Sequence, residues 1–106
     1  MKCYAVAEIV VTDRAWVKDY IQKVTPMVEA HGGRYLARTS MLEKLEGERP
    51  LPHTFLIVEF PSREAAHRFY QSPEYKPFRE RRLAGSTGDF VLVEGEDASR
   101  VARIAD

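Results

Sequence analysis

The chain has 106 residues, 44% of them hydrophobic, with sixteen Lys plus Arg set against sixteen Asp plus Glu. That composition is one globular domain, large enough to bury roughly two-thirds of its unfolded surface and too small for a second domain or a repeat array. A formal net charge of zero argues against a nucleic-acid partner, which calls for a basic excess on at least one face. The densest basic run, Arg79-Glu80-Arg81-Arg82, is short, broken by an acid, and reads as a solvated helix face.

Residues 3–11 are β-branched, small or aromatic and read as a strand. Period two places Tyr4, Val6, Glu8 and Val10 on one face and Ala5, Ala7 and Ile9 on the other, where small side chains leave room for a helix. Cys3, the only cysteine, can form no internal disulfide and reads as a buried, inert thiol in a reducing cytoplasm. The apolar stretch to Val11 is broken by Glu8 and is too short to span a bilayer, and no export signal is visible, so the expectation is a cytoplasmic protein with no membrane partner.

Thr12 or Asp13 is expected to cap a helix running to about His31, with Val17, Tyr20, Ile21, Val24, Met27, Val28 and His31 on its apolar stripe. Gly32-Gly33 stops it, and Pro26 removes one backbone donor from its interior, predicting a kink. Arg34 to Met41 and His53 to Phe60 alternate as strands, joined by the polar segment Glu43 to Pro52, and sequential strands of this kind pair as a hairpin. Ser62 caps a second helix whose Ala65, Ala66, Phe69 and Tyr70 share a face. Ser72-Pro73 then restarts a helix carrying Tyr75, Phe78, Arg79 and Arg82. Gly85-Ser86-Thr87-Gly88 reads as a turn and Asp89 to Glu94 as the last strand. Residues 1–95 form the expected domain, and 96–106 a polar tail.

Strand, helix, strand, strand, helix, strand is the α+β, ferredoxin-like βαββαβ order, an antiparallel sheet with helices on one face. The other face would show Tyr4, Val6, Phe55, Ile57, Leu36, Val91 and Val93. Single-domain monomers seldom leave such a patch in water, and packing two sheets about a two-fold axis would cover it, so a homodimer is expected.

His31-Gly32-Gly33-Arg34-Tyr35-Leu36-Ala37-Arg38, Leu45-Glu46-Gly47, Glu59-Phe60-Pro61-Ser62 and Tyr70-Gln71-Ser72-Pro73-Glu74-Tyr75 closely resemble the domain-of-unknown-function family numbered 1330. The resemblance spans about residues 3 to 95 and implies a dimeric α+β barrel. It brings no agreed catalytic residues. The wider superfamily it implies includes cofactor-free monooxygenases, lactone isomerases, haem-dependent chlorite dismutases and dehydrochlorinase-like proteins, a spread too wide for the fold to choose a reaction.

Polar groups on apolar strand faces supply the candidate site. Glu8, Arg38 and Glu59 share barrel-facing parity, and His53 has the parity of Glu59. Glu8 and His53 on adjacent strands would make a general acid–base pair; the competing reading is a set of rim ion pairs. His31 beside Arg34 and Tyr35 is either a proton donor at a pocket mouth or a C-terminal cap favoured by the helix dipole. Tyr70, Tyr75 and Arg82 would orient a carboxylate or enolate, or else are core residues. His31, His53 and His67 lie on separate elements without metal-ligand spacing, and no nucleotide or nucleophile motif is present, so no metal or other cofactor is expected. A single axial histidine would suffice for haem, which these absences leave open. Two functions follow. One is a metal-free homodimeric enzyme acting on a small acidic or carbonyl-bearing metabolite, with Glu8, His31 or His53 moving a proton and Arg34 or Arg38 fixing an anion. The other is a non-catalytic dimeric ligand-binding or stress-related module.

Overall fold

A computed structural model describes residues 1–95; the expected tail, 96–106, lies outside the described residues. The elements are β1 (Cys3–Val11), α1 (Val17–Ala30), β2 (Arg34–Thr39), β3 (Thr54–Phe60), α2 (Arg63–Tyr70), α3 (Lys76–Ala84) and β4 (Ser86–Glu94). Every strand pairing is antiparallel and the sheet order is β2-β3-β1-β4, the ferredoxin-like arrangement. None of the described helices is long and apolar enough to cross a membrane.

The small face of β1 sets where the helices lie. Cys3, Ala5 and Ala7 are fully buried, and Cys3 and Ala5 share one core with Val24 and Val28 of α1, Val58 and Phe60 of β3, and Ala65, Ala66 and Phe69 of α2. Burial pushes the Cys3 thiol above its ordinary value, in keeping with an inert group. On the opposite face, Val6 pairs with Ile57 on one side and Val91 on the other, and Tyr4 with Glu59 and Val93. Among the described residues no helix covers this side: Val91, Val93 and Leu36 are each nearly half exposed.

Local chemistry sets the element ends, and several differ from expectation. Asp13 Oδ1 accepts the Ala15 N–H in a tight turn, so regular helix starts only at Val17. Gly85 is the reason the chain delays: its carbonyl takes the N–H groups of Thr12 and Asp13 and the indole N–H of buried Trp16. A side chain at Gly85 would meet the Trp16 ring at 2.4 Å. α1 runs through Pro26 as one helix to a C-cap at His31, followed by Gly32 at φ +80°. Ser62 caps α2 as expected, its Oγ accepting the Ala65 N–H at 3.0 Å. Ser72 Oγ likewise accepts from Tyr75, but the regular helix it introduces begins later, at Lys76.

Gly85 to Gly88 is not a turn after α3, because β4 already begins at Ser86. Gly88 stands opposite Ile9 inside the ladder at φ +133°, where a Cβ would fall 1.9 Å from the Glu8 carbonyl oxygen. Glycine there permits close backbone approach within a strand. The second correction concerns β2, which ends at Thr39 rather than Met41 and carries one extra residue: Tyr35 pairs with Val58 and Ala37 with Ile57, leaving Leu36 as a bulge. From that point the alternation of faces is reversed.

Candidate functional site

The helix-covered side holds a polar cluster inside the core. Tyr75, the residue between Ser72 and the start of α3, is 0% exposed, and its hydroxyl lies 2.5 Å from that of Tyr20 on α1. Arg82, one α3 stripe further and 5% exposed, donates from Nε to the Tyr75 hydroxyl at 3.4 Å. Its guanidinium lies 5.3 Å from the ring centre of Phe90 on β4, and one terminal nitrogen has no hydrogen-bond partner among the described residues. Burial opposes the Arg82 charge, but the Tyr75 and Tyr20 hydroxyls more than offset it and hold the group in its charged form. Burial first, and Tyr75 beside it, push the Tyr20 phenol far above the ordinary tyrosine range. This is a neutral-phenol, charged-guanidinium cluster with spare donor capacity.

Beside it, between α2 and the strands β1, β3 and β4, is a cavity of about 250 Å³. Its walls are apolar, with Phe60, Phe69, Tyr70 and Phe90 supplying rings and His67 the one imidazole. Tyr70 ties the cavity to the cluster: its ring meets both Tyr75 and Phe90, while Arg79 lies over its outer side and donates to its carbonyl. The structure therefore brings Tyr70, Tyr75 and Arg82 together, as their spacing suggested. Tyr20 and His67 were not selected from sequence. Tyr20 carried only its place in the α1 stripe, because its partner is 55 residues away. His67 follows Ala66 on α2, a neighbourhood that marks it as near the core but not as lining a cavity.

The remaining candidates do not converge. Glu8 lies on β1, but His53, expected to open the neighbouring strand, stands just before β3, which starts at Thr54, and each of the two has its own partner. The Glu8 carboxylate accepts from Arg49 at 2.6 Å, and His53 Nδ1 accepts the Val11 N–H at 3.0 Å. Among the described residues no hydrogen bond joins the two. His31 places Nδ1 2.9 Å from the Met27 carbonyl, within its own helix end, and its ring meets Phe69 edge-on. Glu59 lies between Lys2 and Arg34, with nitrogens at 3.3 and 3.2 Å. Arg38 leaves this face altogether. The bulge pairs it with Leu56, and it points to the α1 side, stacked on Tyr35 at 4.3 Å and donating to Thr25 Oγ1 at 2.9 Å. Its shared parity with Glu8 and Glu59 is thereby corrected, for a reason of strand geometry. Among the described residues no three His, Cys, Asp or Glu side chains gather into a metal-binding group.

Solved structures with this architecture include RPA0582, a protein of unknown function from Rhodopseudomonas palustris, 18% identical with a TM-score of 0.74 over 91% of this chain and 83% of that one. SnoaB, a cofactor-independent oxygenase from Streptomyces nogalater, is 15% identical with a TM-score of 0.63, covering 91% of this chain and 94% of its own. An antibiotic biosynthesis monooxygenase, also 15% identical, aligns at a TM-score of 0.58 over 92% of this chain and all of that one (100%). At such identities the likeness establishes the fold. No curated protein matches the sequence. The family model for a domain of unknown function, DUF1330, matches residues 2–96, nearly the whole of the domain just described, and the chain belongs to that family.

Proposed function

We propose that this chain is a homodimeric small-molecule-binding protein of monooxygenase-like fold, taking an apolar, ring-sized ligand between α2 and the sheet without a metal or bound cofactor. The cavity of about 250 Å³ walled by Phe60, Phe69, Tyr70 and Phe90 carries this reading. A dry apolar cavity of roughly 150 Å³ accommodates benzene, so this one has room for a substituted ring or a compact bicycle. His67 offers a directional hydrogen bond at the wall. It is the group best placed to move a proton on a bound ligand. The likeness to a cofactor-independent oxygenase and a monooxygenase supports an enzymatic role at this position.

The dimer rests on the open face. Tyr4, Val6, Phe55, Ile57, Val91 and Val93 form an apolar surface that none of the described helices covers, and each Å² buried is worth ~25 cal/mol. The flanking carboxylates, Glu8 and Glu59, are neutralised within the chain by Arg49 and by Lys2 and Arg34. The face is therefore apolar at its centre and charge-balanced at its edges. A cytoplasmic setting suits the buried, unpaired Cys3 thiol.

A thermal-shift screen with indole, 2-naphthol and substituted benzoates tests the site, run beside Ala66→Leu, which fills the cavity. Stabilisation by at least one ring compound, lost in Ala66→Leu, is expected; no shift from any ring, or an undiminished shift in the filled variant, removes the cavity from the account. Sedimentation velocity tests the assembly. The wild type should sediment as a dimer and a Val91→Lys, Val93→Lys double variant as a folded monomer, whereas a monomeric wild type would overturn the assembly.

A further inference from the structure

A second, narrower cavity lies at the other end of the helix layer. α1 crosses the β2–β3–β1 side of the sheet and leaves about 80 Å³ among Ile9, Trp16, Val17, Tyr20 and Leu56, with Arg38 at its wall. The lining is almost wholly apolar, and Arg38 joins it through its methylene stem while the residue is exposed to solvent at the mouth. Arg38 is held there by two contacts that leave its charge unneutralised: the Tyr35 ring beneath it, and the Thr25 hydroxyl, itself fixed by donating to the Ile21 carbonyl at 2.6 Å. Arg34, Arg49 and Arg81 each have a carboxylate, whereas Arg38 has none within ion-pair distance among the described residues.

A guanidinium fixed in orientation but lacking a counter-ion, at the solvent-facing mouth of a small apolar cavity, matches one ligand chemistry. The planar fork takes a carboxylate by two parallel hydrogen bonds, and its pre-set position limits the ordering cost of binding. Scaling from the cavity of roughly 150 Å³ that holds six benzene carbons, the space here admits about three carbons. The geometry points to a binding site for a short, branched monocarboxylate, with its carboxylate on Arg38 and its alkyl tail among Ile9, Val17 and Leu56. A polar tail is disfavoured, since no wall group would replace the hydrogen bonds it loses to water. This site is separate from the α2 cavity and stands or falls independently of the function proposed for it.

Isobutyrate is the probe, titrated into the full chain and followed by amide and side-chain NMR. Trp16, the sole tryptophan, lines the cavity and supplies a single indole N–H signal. Saturable shifts of Trp16, Tyr35 and the Arg38 Nε–H are expected, with His67 and Phe90 unmoved. Acetate should bind about tenfold more weakly, from ~0.8 kcal/mol for each buried methylene lost. Isobutyramide, which lacks the charge, should not saturate. Arg38→Gln should weaken isobutyrate at least tenfold, and Val17→Phe, which fills the cavity, should abolish binding even if the Arg38 variant proves poorly folded. The proposal is overturned if no saturation occurs, if acetate and isobutyrate bind alike (a surface anion effect), or if binding survives in both variants.

Discussion

On the open face of the sheet, Arg34 and Arg49 reach Glu59 and Glu8 while remaining 70% and 72% exposed. On the helix-covered face Arg82 is enclosed, and its neighbours are phenol hydroxyls and the Phe90 ring, with no carboxylate paired to it among the described residues. The same side chain is thus used in two ways. Outside, water bears most of the solvation and the ion pair contributes little. Inside, the charge has lost its water and is compensated only by dipoles, an arrangement whose stabilising value is small and whose sensitivity to losing a partner is large. The contrast suggests that the interior arginine is kept for what its spare nitrogen can do, and the exterior pairs for balancing charge around an apolar face.

The sharpest way to break that contrast is at Tyr75. Truncation to Ala empties the centre of the core and should cost ~3–5 kcal/mol in urea unfolding. Tyr75→Phe, which removes only the oxygen shared by Tyr20 and Arg82, should cost ~1–3 kcal/mol. If the Phe variant is neutral, the hydroxyl network is incidental.

The pH dependence follows from Tyr20. Its folded-state phenol, raised by burial and then by Tyr75, keeps its proton where the unfolded chain has lost its own. Above the unfolded value near ~10 the unfolded state binds fewer protons, so stability is full below about pH 10 and falls as pH rises beyond it. Tyrosinate absorbance at 295 nm should show Tyr20 ionising only with unfolding, and Tyr20→Phe should flatten the alkaline loss. Ionisation of Tyr20 in the folded protein would contradict the burial argument.

The smallest effects compare the two arginine environments directly. Arg82→Met should lie within ~1 kcal/mol of wild type or be more stable, since an apolar chain of similar volume avoids burying a charge. Glu59→Gln on the open face should cost under ~1 kcal/mol. A loss above ~3 kcal/mol in Arg82→Met would mean that the buried guanidinium is a structural mainstay of the core.

Much of the fold was readable locally. Ser62 and the small-residue face of β1 act through their immediate neighbours, and the element order then limits the topology. The candidate site was legible only where its members share a helix: Tyr75 and Arg82 announce themselves by spacing, but Tyr20 joins them through a tertiary contact that no local pattern encodes. Arg38 shows a different failure. Strict alternation placed it with Glu59, and one uncounted residue, Leu36, sent it through the sheet. Gly88 likewise reads as a turn former until its distance to the Glu8 carbonyl is known, because glycine signals both reversal and close approach.

The Leu36 bulge has a bearing on how this chain tolerates length changes. Parity in a strand is a binary variable, and the extra residue inverts it for everything downstream in β2. Deleting Leu36 with β3 held in register would leave Ala37 opposite Ile57 and Arg38 opposite Leu56, so both keep their present faces. Straightening the bulge with Leu36 retained would instead shift Arg38 opposite Phe55 and transfer a positive charge from the α1 cavity to the open surface. The bulge can therefore absorb the loss of one residue, whereas a one-residue insertion beyond it would exchange the two sides of the sheet for the rest of β2 unless a second bulge formed.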